Sequence, residues 1–170
     1  MAGWHDFYQM IGATAATLLG LLFVSVSLNA ETIMGPEHVH SRRIAEQAFQ
    51  SYLALVFVSL MVFFPRISVE GFAQSLLWFA GIFGGWTIIR TVQVVRHPSP
   101  GQSMIRSLRR YLPSLIGFAM LFLAGLEMLF MHNDESITCG VASMLLLGSA
   151  TVVSWELLIN IAAERYGPHH

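Results

Sequence analysis

A chain of 170 residues that is 55% apolar, 11% charged and of formal net charge −1 falls well below the roughly one-quarter charge of ordinary soluble domains. That balance excludes a disordered chain and a nucleic-acid binder relying on overall basic charge. Cys139 is the single cysteine, so an intrachain disulfide framework is excluded as well.

A helix crosses a bilayer with about 20 mostly apolar residues, within a range of about 17–25. The first candidate, 7–29, carries no charge. Its leader, Met1 to Asp6, lacks Lys and Arg, so it does not read as the basic start of a secretory signal. Further spans are predicted at 47–65, 71–89, 112–131 and 137–161; the last two are interrupted only by Glu127 and Glu156 respectively. None of the five shows the polar face, repeating every three or four residues, that a soluble bundle helix needs. The expected fold is an all-α polytopic membrane bundle of five transmembrane helices, forming one integral membrane domain over 1–170.

The connections set the orientation. All nine basic side chains are arginine, and the 90–111 loop holds Arg90, Arg96, Arg106, Arg109 and Arg110. Positive loops stay inside, which puts this loop in the cytoplasm. Alternation then puts Arg42, Arg43 and Arg165 inside too, leaving only Arg66 outside. The N-terminus is expected outside and the C-terminus inside, in a bacterial inner membrane. Within the basic loop, His97-Pro98-Ser99-Pro100-Gly101 breaks the chain. The stretch 102–111 then reads as a short amphipathic helix in the headgroup layer, with Arg106, Arg109 and Arg110 toward anionic lipid. Pro113 is expected in the first turn of the fourth span, where its missing N–H costs little.

Small residues mark where helices can approach closely. Gly12, Ala16 and Gly20 recur every four residues in the first span, and Gly81 and Gly85 do so in the third. They are expected to be packing faces, within the chain or between copies of a homo-oligomer. No internal repeat stands out, and an odd number of spans excludes two equal inverted halves.

Acids at membrane depth cost about 2.5–3.5 kcal/mol on translocon scales and need a reason. Glu127 lies toward the outside and Glu156 toward the cytoplasm, about 19 Å apart in height, so they belong to separate sites. Near Glu156 the sequence places Arg90 and Glu46, giving either a Glu156–Arg90 ion pair or an ion or proton site. The outer end gathers His5, Asp6, His132 and Asp134, residue types that ligate transition metals but that also make an ordinary polar turn. No phosphate loop, nucleophile elbow, zinc-protease motif or haem-attachment motif is present. Neither enzymatic activity nor a cofactor is expected.

Trp4-His5-Asp6-Phe7-Tyr8, the Gly20-Leu21-Leu22-Phe23-Val24 run and Trp155-Glu156-Leu157 resemble a group of small multi-pass proteins of bacterial inner membranes. The resemblance implies the same location and draws attention to the Glu156 carboxyl, since that group has Asp there. The function expected from the sequence is an oligomeric inner-membrane protein that forms or gates a passage for an ion or small solute. The alternative is a non-transporting accessory subunit or modulator of another membrane protein.

Overall fold

The computed structural model describes residues 2–30, 39–64, 68–96, 104–131 and 137–166. They form five helices: α1, Ala2–Leu28; α2, Val39–Val62; α3, Val69–Arg96; α4, Met104–Met131; and α5, Ile137–Tyr166. Each contains a stretch long and apolar enough to cross a membrane. Local chemistry sets several of the ends. The Asn29 side chain donates to the Ser25 carbonyl at 2.9 Å, capping α1. The last turn of α2 tightens through bonds from Phe63 to Leu60 and from Phe64 to Met61, both 3.1 Å. Ser68 is the N-cap of α3, its hydroxyl accepting from the Gly71 N–H at 3.1 Å.

The helices are longer than the apolar spans read from sequence, because helix continues past the point where apolar residues stop. At the start of α2, Ser41, Arg42, Arg43 and Glu46 belong to the helix although they are polar. The clearest correction is at α4. The stretch from Met104 to Tyr111 is no separate helix lying flat; it runs unbroken into the fourth span, with Pro113 in the interior. Proline there removes the bond to the Arg109 carbonyl, yet the flanking turns hold. At 28 residues α4 is about 42 Å long and outruns a hydrocarbon core of about 30 Å. Arg106, Arg109 and Arg110 therefore sit on the first turns of a continuous helix.

The packing order is α1, α2, α5, α4, α3, with α2 also touching α3 and α1 touching α5 more lightly. Every helix buries a seam spaced by three and four residues. On α1 it is Tyr8, Ile11, Ala15 and Leu22; on α2, Ser41, Ala48 and Leu55 alternate with Ile44, Ser51 and Val58. On α4 Tyr111 and Phe118 alternate with Ser114, Leu121 and Met128, and on α5 Cys139, Leu146 and Val153 alternate with Ala142 and Ser149. A seven-residue repeat of buried positions is the signature of left-handed packing at small crossing angles. Tyr52, Phe118, Leu55, Leu76, Leu121, Leu146 and Leu157 are among the largest side chains buried almost completely. The outward surface is apolar as well, with Phe23, Trp78, Trp86, Phe130, Val152 and Trp155 all exposed. A soluble monomer rarely presents apolar surface on that scale, whereas a lipid-facing bundle must.

Backbones come closest at a few glycines. A Cβ on Gly12 would lie 2.6 Å from the Ser59 Cβ, joining α1 to α2. On Gly117 it would meet Leu146 at 2.7 Å, and on Gly140 the Trp4 ring at 2.7 Å.

Candidate functional site

The antiparallel run of the helices gathers the end of α1, the start of α2, the end of α3, the start of α4 and the end of α5. Among the described residues, this end of the bundle holds the arginines. Its centre is Glu46, half-buried on α2. One carboxylate oxygen accepts from Arg42 Nε at 3.1 Å, one turn back on the same helix, and the other from Arg90 Nη2 at 3.0 Å, on α3. The Arg90 guanidinium also lies over the Trp86 ring, 5.1 Å from its centroid, a cation–π contact across one helical turn. Just below, Gln50 donates to the Phe83 carbonyl at 2.8 Å and reaches Thr87 Oγ1 at 3.4 Å. Glutamine thereby ties α2 to α3 where their packing is thin.

Two spaces open on this cluster. A narrow one of about 20 Å³ lies among Arg43, Gln47, Thr87, Arg90 and Tyr111, room for about one water. A larger groove of about 700 Å³ runs down from Arg42, Glu46 and Arg90 between α1 and α3, floored by α2. Its walls are Leu22, Phe23 and Val26 of α1 and Ile82, Phe83 and Trp86 of α3, and its floor includes Ala45, Phe49 and Leu53. The groove exists because α1 leans on α2 and α5 and has no substantial contact with α3. A third space, about 650 Å³, lies on the outer face of α3 and α4 beside Glu70, Trp78 and Gly81.

A ladder of polar side chains crosses the bundle interior. Gln47 of α2 donates to Ser114 of α4 at 3.2 Å, and the hydroxyls of Ser114 and Ser149 of α5 are hydrogen-bonded to each other at 2.9 Å. One turn further in, the Tyr52 hydroxyl of α2 lies 3.3 Å from both Thr151 and Ser154 of α5. These bonds join three helices across the interior.

Of the residues picked out from sequence, Glu46 and Arg90 come together. Glu156 does not join them: Arg90 pairs with Glu46 of α2, and α3 packs against α4 and α2 rather than α5, so the expected Glu156–Arg90 pair is not formed. Glu127 and Glu156 lie in opposite halves of the bundle, both half-buried and both engaged with neighbouring groups. Neither lines any of the three spaces above. At the opposite end of the bundle, the His5 ring packs 5.3 Å from Phe63 and Asp6 is exposed. His132 and Asp134 lie outside the described residues, among which no group of three or more His, Cys, Asp or Glu could hold a metal.

The small-residue faces divide. Gly12 packs, but Ala16 and Gly20 are exposed, and a Cβ on Gly20 would meet nothing within 4 Å. Gly81 and Gly85 are equally open, while neighbouring Ala80 and Gly84 are buried. The physical reason is the helical period: positions eight apart diverge by about 80° around the axis, so Gly12 and Gly20 cannot share one contact. Arg42, Gln50 and Trp86 were not singled out from sequence. The four-residue spacings Arg42–Glu46 and Trp86–Arg90 were the available signal, since side chains so spaced meet on a helix.

No protein-family model, no curated protein and no solved structure matches this chain.

Proposed function

We propose that the chain is a multi-pass protein of a bacterial inner membrane, N-terminus outside and arginine-rich end in the cytoplasm. Within it, the chain acts as a non-transporting accessory subunit or modulator of another membrane protein. The observation that carries this reading is the buried interior, where large apolar side chains pack and hydrogen bonds from Gln47 through Ser114 to Ser149 tie three helices together. A passage within one chain needs an acid facing an open cavity, and both acids at depth are instead engaged. The two larger spaces described above are open at the bundle surface, where another membrane component can reach them.

A second reading, an oligomeric passage between copies, is favoured by one observation. Gly20, Gly81, Gly85 and Gly148 face outward with no atom within 4 Å of a Cβ, which permits close approach of further helices. Reconstitution into liposomes separates the two. The accessory reading expects no ion or solute flux beyond empty liposomes and no change with Glu156→Gln. Flux that disappears in a folded Glu156→Gln protein would establish the passage instead.

A further inference from the structure

The groove between α1 and α3 has the dimensions and chemistry of a lipid site. Its volume of about 700 Å³ lies within the roughly 300–1,000 Å³ of small-molecule pockets. From Arg42 to Leu53 its floor runs eleven residues along α2, about 16 Å, close to half of a hydrocarbon core of about 30 Å. It therefore spans one leaflet and stops near the midplane. Such a shape suits an amphiphile lying along the bundle and offers nothing to a solute that must cross.

The mouth supplies the polarity. Arg42 and Arg90 line the groove, Arg43 lines the adjoining cleft, and Glu46 is the one carboxylate shared by both. Three guanidiniums against one carboxylate leave an excess of positive charge. Glu46 takes a single N–H from each of Arg42 and Arg90, and a guanidinium has five. The remaining donors match the oxygens of a phosphate, which arginine recognises in a fixed fork. Below them Phe23, Phe49, Leu53 and Trp86 form an apolar slot. A second copy of this chain fits poorly, because antiparallel neighbours aside it would bring its own arginine-rich end against this one.

We propose that this groove binds one anionic phospholipid of the arginine-side leaflet, its phosphate on Arg42 and Arg90 and an acyl chain along Phe49 and Trp86. The described residues that line the groove belong to α1, α2 and α3. The lipid site rests on the membrane reading above and on neither of its functional alternatives.

Membrane insertion is checked first, by resistance of the full chain to alkaline extraction from vesicles; failure there removes the membrane reading itself. The lipid site is then tested on detergent-purified protein titrated with phosphatidylglycerol or phosphatidylcholine, reading Tm and the lipid adducts retained in native mass spectra. Phosphatidylglycerol should raise Tm and leave one retained lipid, and phosphatidylcholine should do neither. Arg42→Gln with Arg90→Gln should weaken the effect by roughly tenfold or more, as loss of charge-assisted bonds requires. Arg106→Gln, Arg109→Gln and Arg110→Gln together should leave it intact. Val26→Trp fills the slot from α1 without touching a charge and should also abolish it, which keeps the test open if the double arginine variant does not fold. Equal stabilisation by both lipids, unchanged binding in Val26→Trp, or a groove occupied by a second copy in cross-linking would overturn the proposal.

Discussion

Replacing Gly12 by alanine tests the closest approach in the bundle. The added Cβ would sit 2.6 Å from the Ser59 Cβ and 3.0 Å from its hydroxyl. Carbon atoms in contact prefer about 3.5–4.0 Å, so α1 and α2 must separate by about 1 Å. Neither atom at Ser59 is the far end of a flexible chain, and separation loosens Tyr8, Ile11 and Ala15 along the same seam. Overpacking of this kind costs about 1–3 kcal/mol, and alanine's better helix propensity returns at most about 1 kcal/mol. The expected net loss is about 1–2 kcal/mol in reversible unfolding in mixed micelles. Gly20→Ala is the matched control: with nothing within 4 Å it should be neutral or slightly stabilising. Ser59→Gly should rescue Gly12→Ala, because it removes the opposing carbon. Ser59→Ala should rescue less than Ser59→Gly, since the opposing carbon stays and only the buried, unpartnered hydroxyl is removed. Equal effects of Gly12→Ala and Gly20→Ala, or a larger rescue by Ser59→Ala than by Ser59→Gly, would refute the close approach.

Ser114→Ala removes the centre of the Gln47–Ser114–Ser149 ladder and should destabilise by about 1–3 kcal/mol, whereas Ser27→Ala, exposed on α1, should be silent in the same unfolding assay. A double-mutant cycle on Glu46→Gln and Arg90→Gln should give a coupling of only about 0.2–1 kcal/mol, because the two side chains remain 41% and 32% exposed. Glu156→Gln and Arg90→Gln should instead add independently; a coupling as large as that of Glu46 would restore the pair read from sequence. Reporter fusions after Arg110 and after His170 should read cytoplasmic and one at Asn133 periplasmic, and a periplasmic reading after Arg110 would break the five-span arrangement.

The five helices were legible because each carries an apolar stretch long enough to cross a membrane, a length and a polarity that composition reveals directly. Their ends were not, because helix at the start of α2 and α4 is built from polar and basic residues that hydropathy discounts. Packing faces were half legible. A four-residue stripe of small residues drew the eye to Gly12, Ala16 and Gly20, but the buried seam on α1 follows seven-residue spacing through Tyr8, Ala15 and Leu22. Choosing between those registers requires knowing what opposes each position, and Ser59 lies 47 positions along the chain from Gly12. The charge cluster shows the same limit. Arg42 and Glu46 are one turn apart and their meeting could be read locally, but Arg90 choosing Glu46 over Glu156 depends on α3 lying against α2 and away from α5.

The tight contact and the open groove are two consequences of one helix. At its outer end α1 is held by Trp4 against Gly140 and by Gly12 against Ser59. Toward the arginine end only Leu22 remains fully buried, and Phe23 and Val24 are exposed. Of the most apolar stretch of α1, 17% is buried, against 56% in α2, so little apolar packing fixes where its inner half stands. That half is the wall of the groove. A ligand seated between Phe23 and Trp86 would supply the contacts α1 lacks there, and burying apolar surface stabilises at about 25 cal/mol per Å². Stabilisation by a groove ligand should therefore survive Gly12→Ala, and grow if the loosened α1 leans further on the ligand. If Gly12→Ala abolishes the phosphatidylglycerol effect while the fold persists, the two ends of α1 are coupled more rigidly than the packing implies.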